Sequence, residues 1–242
     1  MFARETHRAV VAVLEVLRED RLGACRFLFG DGTRIVLDLG EYRESKDLDF
    51  LCSDAQGYAD LRYEASRHGY PALVTAEGLQ RLRFPREMRI DQYGIRFIAV
   101  LGTMTLRIEL IREARIELGP GERPAWSPVD CLAVTDCYAE KLLANADRWA
   151  DRQFLARDLV DLAALRAHHG PIPQTAWTKV EAAYKSAAEE DLKKALALLG
   201  GHPGFLRQCF EGLSVQEPSG LLEGLALLRE DLQIAPTLPA SP

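Results

Sequence analysis

Arg43-Glu44-Ser45-Lys46-Asp47-Leu48-Asp49-Phe50-Leu51 is the stretch on which the reading of this chain turns. Successive side chains of an extended strand alternate, so Leu48, Phe50 and Cys52 enter a core while Asp47, Asp49 and Leu51 share the other face. Two carboxylates side by side repel one another unless a cation lies between them. Oxygen ligands of that kind suit Mg²⁺ bound together with substrate phosphates.

A third acid follows from the same parity. In residues 105–112, Leu106, Ile108 and Leu110 form the buried set, which turns Arg107, Glu109 and Ile111 to the opposite face. If this strand neighbours the first, Glu109 joins Asp47 and Asp49, and carboxylates from two strands are what two-metal phosphoryl or nucleotidyl transfer uses. The competing reading is a solvated strand edge with an ordinary cross-strand charge. Upstream, Gly30-Asp31-Gly32-Thr33 falls between a short strand at 26–29 and a helix at 34–39. Backbone N–H groups and the positive end of that helix can hold phosphate oxygens there.

Around these segments the first half alternates strand and helix. Residues 5–18 are an amphipathic helix with Ala9, Val13 and Leu17 at four-residue spacing, and 56–68 a helix ended by Gly69. Strands are expected at 88–92, 95–101 and 105–112, joined at Tyr93-Gly94 and Gly102-Thr103, which gives a mixed sheet with helices against it. After the turn-rich run from Gly119 to Pro124 the periodicity is helical, at 128–150, 157–169, 174–199 (stopped by Gly200-Gly201), 204–211 and 218–232. The expected division is an α/β domain at 1–120 and a helical domain at 121–242, with fraying at 235–242, where three prolines fall.

The composition sets the class. The chain has 242 residues, 48% hydrophobic and 27% charged, so a globular core is expected and wholesale disorder is excluded. Its longest apolar runs, 9–14, 97–101 and 195–199, are far below the ~18 residues of a membrane span, and the first residues do not read as a secretory signal. A cytoplasmic protein is expected. Cys25, Cys52, Cys131, Cys137 and Cys209 show no metal-ligand spacing and read as reduced core thiols. A net charge of −6 argues against a protein that coats nucleic acid through bulk charge. Arg81, Arg83, Arg86 and Arg89 nevertheless form a local positive run that suits a phosphate backbone, or a solvated loop.

On the first long helix of the second half, Lys141, Asn145 and Arg148 share a face. On the next, Asp158 and Asp161 share another. Taken alone, the pattern reads as a salt bridge, Lys141–Asp158 or Arg157–Asp161, holding two helices together. His168-His169 reads as a helix C-terminal cap, and Trp126, Trp149 and Trp177 as packing residues.

Taken together, a strand, a G-x-G-T turn, a helix, R-x-S-x-D-L-D-F, then Lys141-Leu142-Leu143-Ala144 and Arg157-Asp158-Leu159-Val160-Asp161 resemble the AbiEii/AbiGii toxin family of the nucleotidyltransferase superfamily. The likeness runs in order over residues 27–165. It implies a nucleotidyltransferase-like fold and a Mg²⁺-dependent enzyme moving NMP from NTP to an acceptor hydroxyl. That acceptor would be an RNA such as the tRNA 3′ end, in a toxin–antitoxin or phage-defence system with a cognate antitoxin. By the same resemblance Asp47 and Asp49 hold metal and act in catalysis, Gly30, Gly32, Thr33 and Ser45 bind the nucleotide, and Lys141 and Asp158 join the catalytic set from the helical domain; the parity argument adds Glu109 to the metal set, and Arg43, beside Ser45, is expected with the nucleotide-binding residues. One departure stands out: the family's turn has adjacent glycines, whereas Asp31 separates Gly30 from Gly32 here. A catalytically weak RNA- or protein-binding module, or transfer to a small-molecule or protein acceptor, therefore stays open.

Overall fold

The computed structural model describes residues 2–234, so the end at 235–242 lies outside the described residues. The contacts divide the chain into two units: residues up to Glu41 with Ser45–Ala133, and Tyr42–Glu44 with the residues from Val134 onward.

In the first unit five strands, β1 (Leu28–Gly30), β2 (Leu48–Cys52), β3 (Arg89–Ile90), β4 (Gly94–Leu101) and β5 (Met104–Arg112), form one mixed sheet in the order β1-β2-β5-β4-β3. Strands β2 and β5 are parallel; every other pair is antiparallel. The alternation in the sequence decides the faces. Leu48, Phe50 and Cys52 of β2, Leu106, Ile108 and Leu110 of β5, and Ile95, Phe97 and Ala99 of β4 all turn to one side and are buried. The α-helices of this unit are α1 (Glu5–Leu14), α2 (Glu19–Ala24), α3 (Asp31–Asp38), α4 (Ala55–His68) and α5 (Ala76–Arg81). Val10, Val13 and Leu14 of α1 and Tyr58, Leu61 and Ala65 of α4 share the apolar core with those strand residues, so the carboxylates are left on the other face.

Several boundaries differ from the periodicity. Helix α1 stops at Leu14 because Leu17 pairs with Val74 and the Arg18 N–H bonds to the Leu73 carbonyl. The six-residue helices α2 and α5 are too short to show a period. Gly102-Thr103 is the two-residue hairpin turn expected, with Gly102 at φ 60°. The β3–β4 connection is wider: Asp91 begins it, and its carboxylate accepts the N–H groups of Tyr93 and Gly94. The unit also runs past Pro120 to Ala133, since Cys131 pairs with both Phe29 and Glu122. Those bridges, with the bonds of Asp130 and Leu132 to Phe29, tie residues 130–132 to β1 in place of a helix, and the helix expected from 128 begins at Val134.

The second unit is helical, with α6 (Val134–Arg148), α7 (Arg157–His169), α8 (Gln174–Tyr184), α9 (Ala187–Gly201), α10 (Pro203–Gly212) and α11 (Ser219–Asp231). Helix α6 packs on α7, α8 and α9, and α7 on α11. The helix expected at 174–199 is broken at Lys185, whose φ is 57°, and this lets both pieces lie on α6. Gly200 and Gly201 do not stop α9; both lie within it, and His202 caps it. On α11, Gly224 lets two backbones meet: a Cβ there would lie 2.0 Å from the Ala163 carbonyl oxygen of α7. Among the described residues, no helix is long and apolar enough to cross a membrane.

Candidate active site

Across the sheet, residues directly opposite in register share a face. Gly30 faces Asp49, Asp49 faces Glu109, Glu109 faces Arg96 and Arg96 faces Arg89, one row over all five strands. The sequence parity puts Asp49 and Glu109 on one face; the parallel pairing of β2 with β5 makes them immediate neighbours. Asp47, just before β2, is drawn to the same place through Arg107. The Arg107 guanidinium lies 2.9 Å from Asp47 Oδ2 and 3.4 Å from Glu109 Oε2. Arg96 reaches Glu109 Oε1 at 3.2 Å and Asp91 at 3.1 Å.

Asp49 makes no such ion pair with either arginine, and its proton affinity shows the difference. Burial first, then the charges of Asp31, Asp47 and Glu109, push its carboxyl up to about 8, with Arg107 opposing them. Asp31 is thus near enough to act on Asp49. The extra acid of the glycine turn belongs to the carboxylate cluster, held at φ 54° at the start of α3.

Whether a divalent cation suits the cluster depends on its donors. They are carboxylate oxygens only, the chemistry that Mg²⁺ prefers, and together they carry more negative charge than Arg107 and Arg96 offset, so the residues fit such an ion. Among the described residues no three acidic, histidine or cysteine side chains already stand close enough to hold a metal in common. Arg107 bridges Asp47 and Glu109 instead.

Beside the acids, Gly30 is both the last residue of β1 and the N-cap of α3, so the helix N-terminus, with its first-turn N–H groups, lies at the end of the row. Gly30 is needed for space: a Cβ there would lie 2.4 Å from Leu132 Cδ1. Gly32 and Thr33 are buried in the first turn, and Thr33 Oγ1 is 2.7 Å from Ser45 Oγ. The backbone N–H of Ser45 donates to His7 Nε2 at 3.2 Å, which leaves Nδ1 as the protonated nitrogen, donating to Glu41 Oε1 at 2.7 Å. Burial would raise the Glu41 carboxyl, but the N–H groups of Ala3 and Arg4 and the His7 ring all donate to it and hold it below the usual value. His7, Glu41, Arg96 and Arg107 were given no role by the sequence, and Asp31 stood out only as a departure in the glycine turn, not as a member of the acidic cluster. Of the first four only Arg107 carried a signal, its parity with Glu109.

Arg43, Lys141 and Asp158 belong to the helical unit. Arg43 is buried and bidentate on Asp161, at 2.7 and 2.8 Å, and the Tyr42 hydroxyl donates to Asp161 at 2.6 Å. Lys141, 1% exposed, lies 3.0 Å from Asp158 and 2.9 Å from Asp161. Arg148 makes two bonds to Asp158, at 2.6 and 2.8 Å. Burial would raise the Asp161 carboxyl, but the charges of Arg43 and Lys141 hold it well below the usual range. Of the two bridges the pattern allowed, Lys141–Asp158 forms, and Asp161 takes Arg43 rather than Arg157.

The remaining candidates are quickly placed. Arg81, Arg83, Arg86 and Arg89 are all exposed, with Arg81 on Glu77 at 2.9 Å and Arg89 3.8 Å from Asp91. None of the five cysteines is in a disulfide, and four of them are buried. His168 and His169 are exposed at the end of α7, where the His168 ring bonds to the Ala164 carbonyl. Trp126 packs against the core of the first unit.

Comparison with known proteins adds a family and a fold. The profile of the nucleotidyl transferase AbiEii toxins of type IV toxin–antitoxin systems matches residues 14–230. JHP933 from Helicobacter pylori is similar in structure, with a TM-score of 0.55 at 15% identity over 96% of this chain and 95% of its own. A candidate nucleotidyltransferase from H. pylori gives 0.50 at 16% identity over 94% and 95%. MenT4, a nucleotidyltransferase toxin from Mycobacterium tuberculosis H37Rv, gives 0.39 at 18% identity over 93% and 95%. No curated protein matches this chain.

Proposed function

Because the chain belongs to the nucleotidyl transferase AbiEii toxin family of type IV toxin–antitoxin systems, we propose that it transfers NMP from an NTP to an RNA hydroxyl, with Mg²⁺, in the cytoplasm. The tRNA 3′ end is the acceptor, and a cognate antitoxin counters the activity, which serves phage defence. The observation that carries this reading is the row Gly30–Asp49–Glu109, which sets a helix N-terminus beside paired carboxylates.

Asp47, Asp49 and Glu109 would hold the cation; when bound, it supplies Lewis-acid activation of the acceptor hydroxyl and neutralises charge on the triphosphate. The N–H groups of Gly32 and Thr33 and the hydroxyls of Thr33 and Ser45 orient the phosphates, and His7 fixes the Ser45 backbone for that task. A new bond forms from the acceptor oxygen to the α-phosphorus, the α–β phosphoanhydride breaks, and pyrophosphate and the hydroxyl proton leave. Arg81, Arg83, Arg86 and Arg89 offer contacts to an RNA backbone. Lys141 and Asp158 would serve in the catalytic set and Arg43 in nucleotide binding. Lys141→Gln tests them, with unfolding followed in parallel because their cluster also braces the helices.

Incubation with each labelled NTP, Mg²⁺ and total tRNA is the test. Label should appear in tRNA with wild type and not with Asp49→Ala; no transfer by wild type, or equal transfer by the variant, overturns the proposal. A second reading, a binding module with little turnover, draws on Asp31, whose charge acts on Asp49. On that reading NTP binds without transfer, and Asp31→Gly raises activity.

A further inference from the structure

We infer that Arg107 is a two-position cation: it neutralises the carboxylates while no divalent ion is bound, and turns to the nucleotide's phosphates when one is. The inference rests on the proposed nucleotidyl transfer at this site and deepens it by adding a substrate-binding residue from β5.

The geometry of the acids carries it. Glu109 has both oxygens engaged, Oε1 by Arg96 at 3.2 Å and Oε2 by Arg107 at 3.4 Å, and Asp47 gives Oδ2 to Arg107 at 2.9 Å. A cation shared by Asp47 and Glu109 would approach the Oδ2 and Oε2 atoms that Arg107 now takes, with Oδ1 of Asp47 as the oxygen Arg107 does not contest. The two compete, because a guanidinium and a divalent ion drawn to the same pair of carboxylates repel each other. Of the two arginines, Arg107 is the one able to leave. Its side chain is 51% exposed and its ion pairs are with these two acids, whereas Arg96 is 31% exposed and tied to Asp91 as well.

Where it would go follows from the chemistry of the ligand. An NTP brings negative oxygens to the end of the row where Gly30 and α3 begin, and a planar guanidinium binds phosphate through paired N–H donors. Losing two partly exposed carboxylate pairs costs Arg107 little, so the exchange is readily reversible. In the free protein, the same residue lowers the repulsion among acids that would otherwise face each other uncompensated.

Mn²⁺ serves as the probe, since paramagnetic resonance counts the free ion and needs no turnover. Arg107→Gln should bind Mn²⁺ alone on the order of fivefold more tightly than wild type, because a competitor is gone. With Mn²⁺ saturating, the same variant should bind a non-hydrolysable NTP on the order of tenfold more weakly. Arg107→Lys, which keeps the charge but not the fork, should restore the wild-type Mn²⁺ affinity and only part of the NTP affinity. A purely structural role would not move the two affinities in opposite directions. Equal Mn²⁺ affinity in wild type and Arg107→Gln, or undiminished NTP binding by that variant, overturns this inference and leaves the nucleotidyl-transfer reading standing. Failure of wild type to bind Mn²⁺ even with nucleotide overturns both.

Discussion

Asp49 and Glu109 are direct register partners on neighbouring parallel strands, yet of the two it is Glu109 that Arg96 and Arg107 hold. The unequal treatment of two adjacent acids defines the site. Glu109 is compensated within the protein, while Asp49 sits among like charges in a partly buried place, a cost expected of groups that serve an incoming cation rather than the fold.

Asp49→Asn should therefore separate activity from stability. The folded chain holds the Asp49 proton up to about 8, so unfolding between the usual carboxylate range and that pH releases a proton. Stability from this group thus falls as pH rises through that window. Without divalent ions, the variant should be more stable than wild type at pH 8 by about 1 kcal/mol and lose that advantage near pH 4. Nucleotidyl transfer should drop by about 10³-fold. Thermal melts at the two pH values and the label assay read both.

Asp161 should behave in the opposite sense. Its carboxyl is held below the usual range by Arg43 and Lys141, so its contribution is fully present above that range and is lost as pH falls through it. Asp161→Ala leaves Arg43 and Lys141 buried with fewer partners and should cost about 3–5 kcal/mol. Urea unfolding at pH 7 and pH 3 checks this: the difference between wild type and variant should shrink at the lower pH.

Gly224→Ala should destabilise the helical unit by about 2 kcal/mol, since its methyl would meet the Ala163 carbonyl oxygen at 2.0 Å and α11 must move off α7. Gly220→Ala on the same helix has open space around its Cβ and should be neutral or slightly stabilising. The pair of melting temperatures isolates close packing from helix propensity.

Gly30→Ala tests whether that glycine serves space or ligand. Its Cβ would strike Leu132 Cδ1 at 2.4 Å, a flexible side chain, so a cost of about 1–3 kcal/mol is expected. In a Leu132→Ala background the cost should largely vanish, as a double-mutant cycle in chemical unfolding would show. Persistent loss of NTP binding in that background would mark a direct role in the nucleotide site.

The sequence by itself determined the faces. Alternation in 48–52 and 105–112 is a property of any strand, so the burial of Leu48, Phe50, Leu106, Ile108 and Leu110, and the outward turn of Asp47, Asp49 and Glu109, were legible without coordinates. So were the Gly102-Thr103 hairpin and the helix over 157–169, because turn chemistry and the 3.6-residue period are local. Tertiary structure alone decided which strands lie side by side, and with that the adjacency of Asp49 to Glu109. It also set the pairing of Arg107 with Asp47 and the bonds of His7 to Ser45 and of Arg43 to Asp161. These partners lie 60, 38 and 118 residues apart in the chain. No local rule selects among the many arginines and acids of such a sequence; the choice is made when burial removes water and each charge must find the partner that the packed backbone brings within reach.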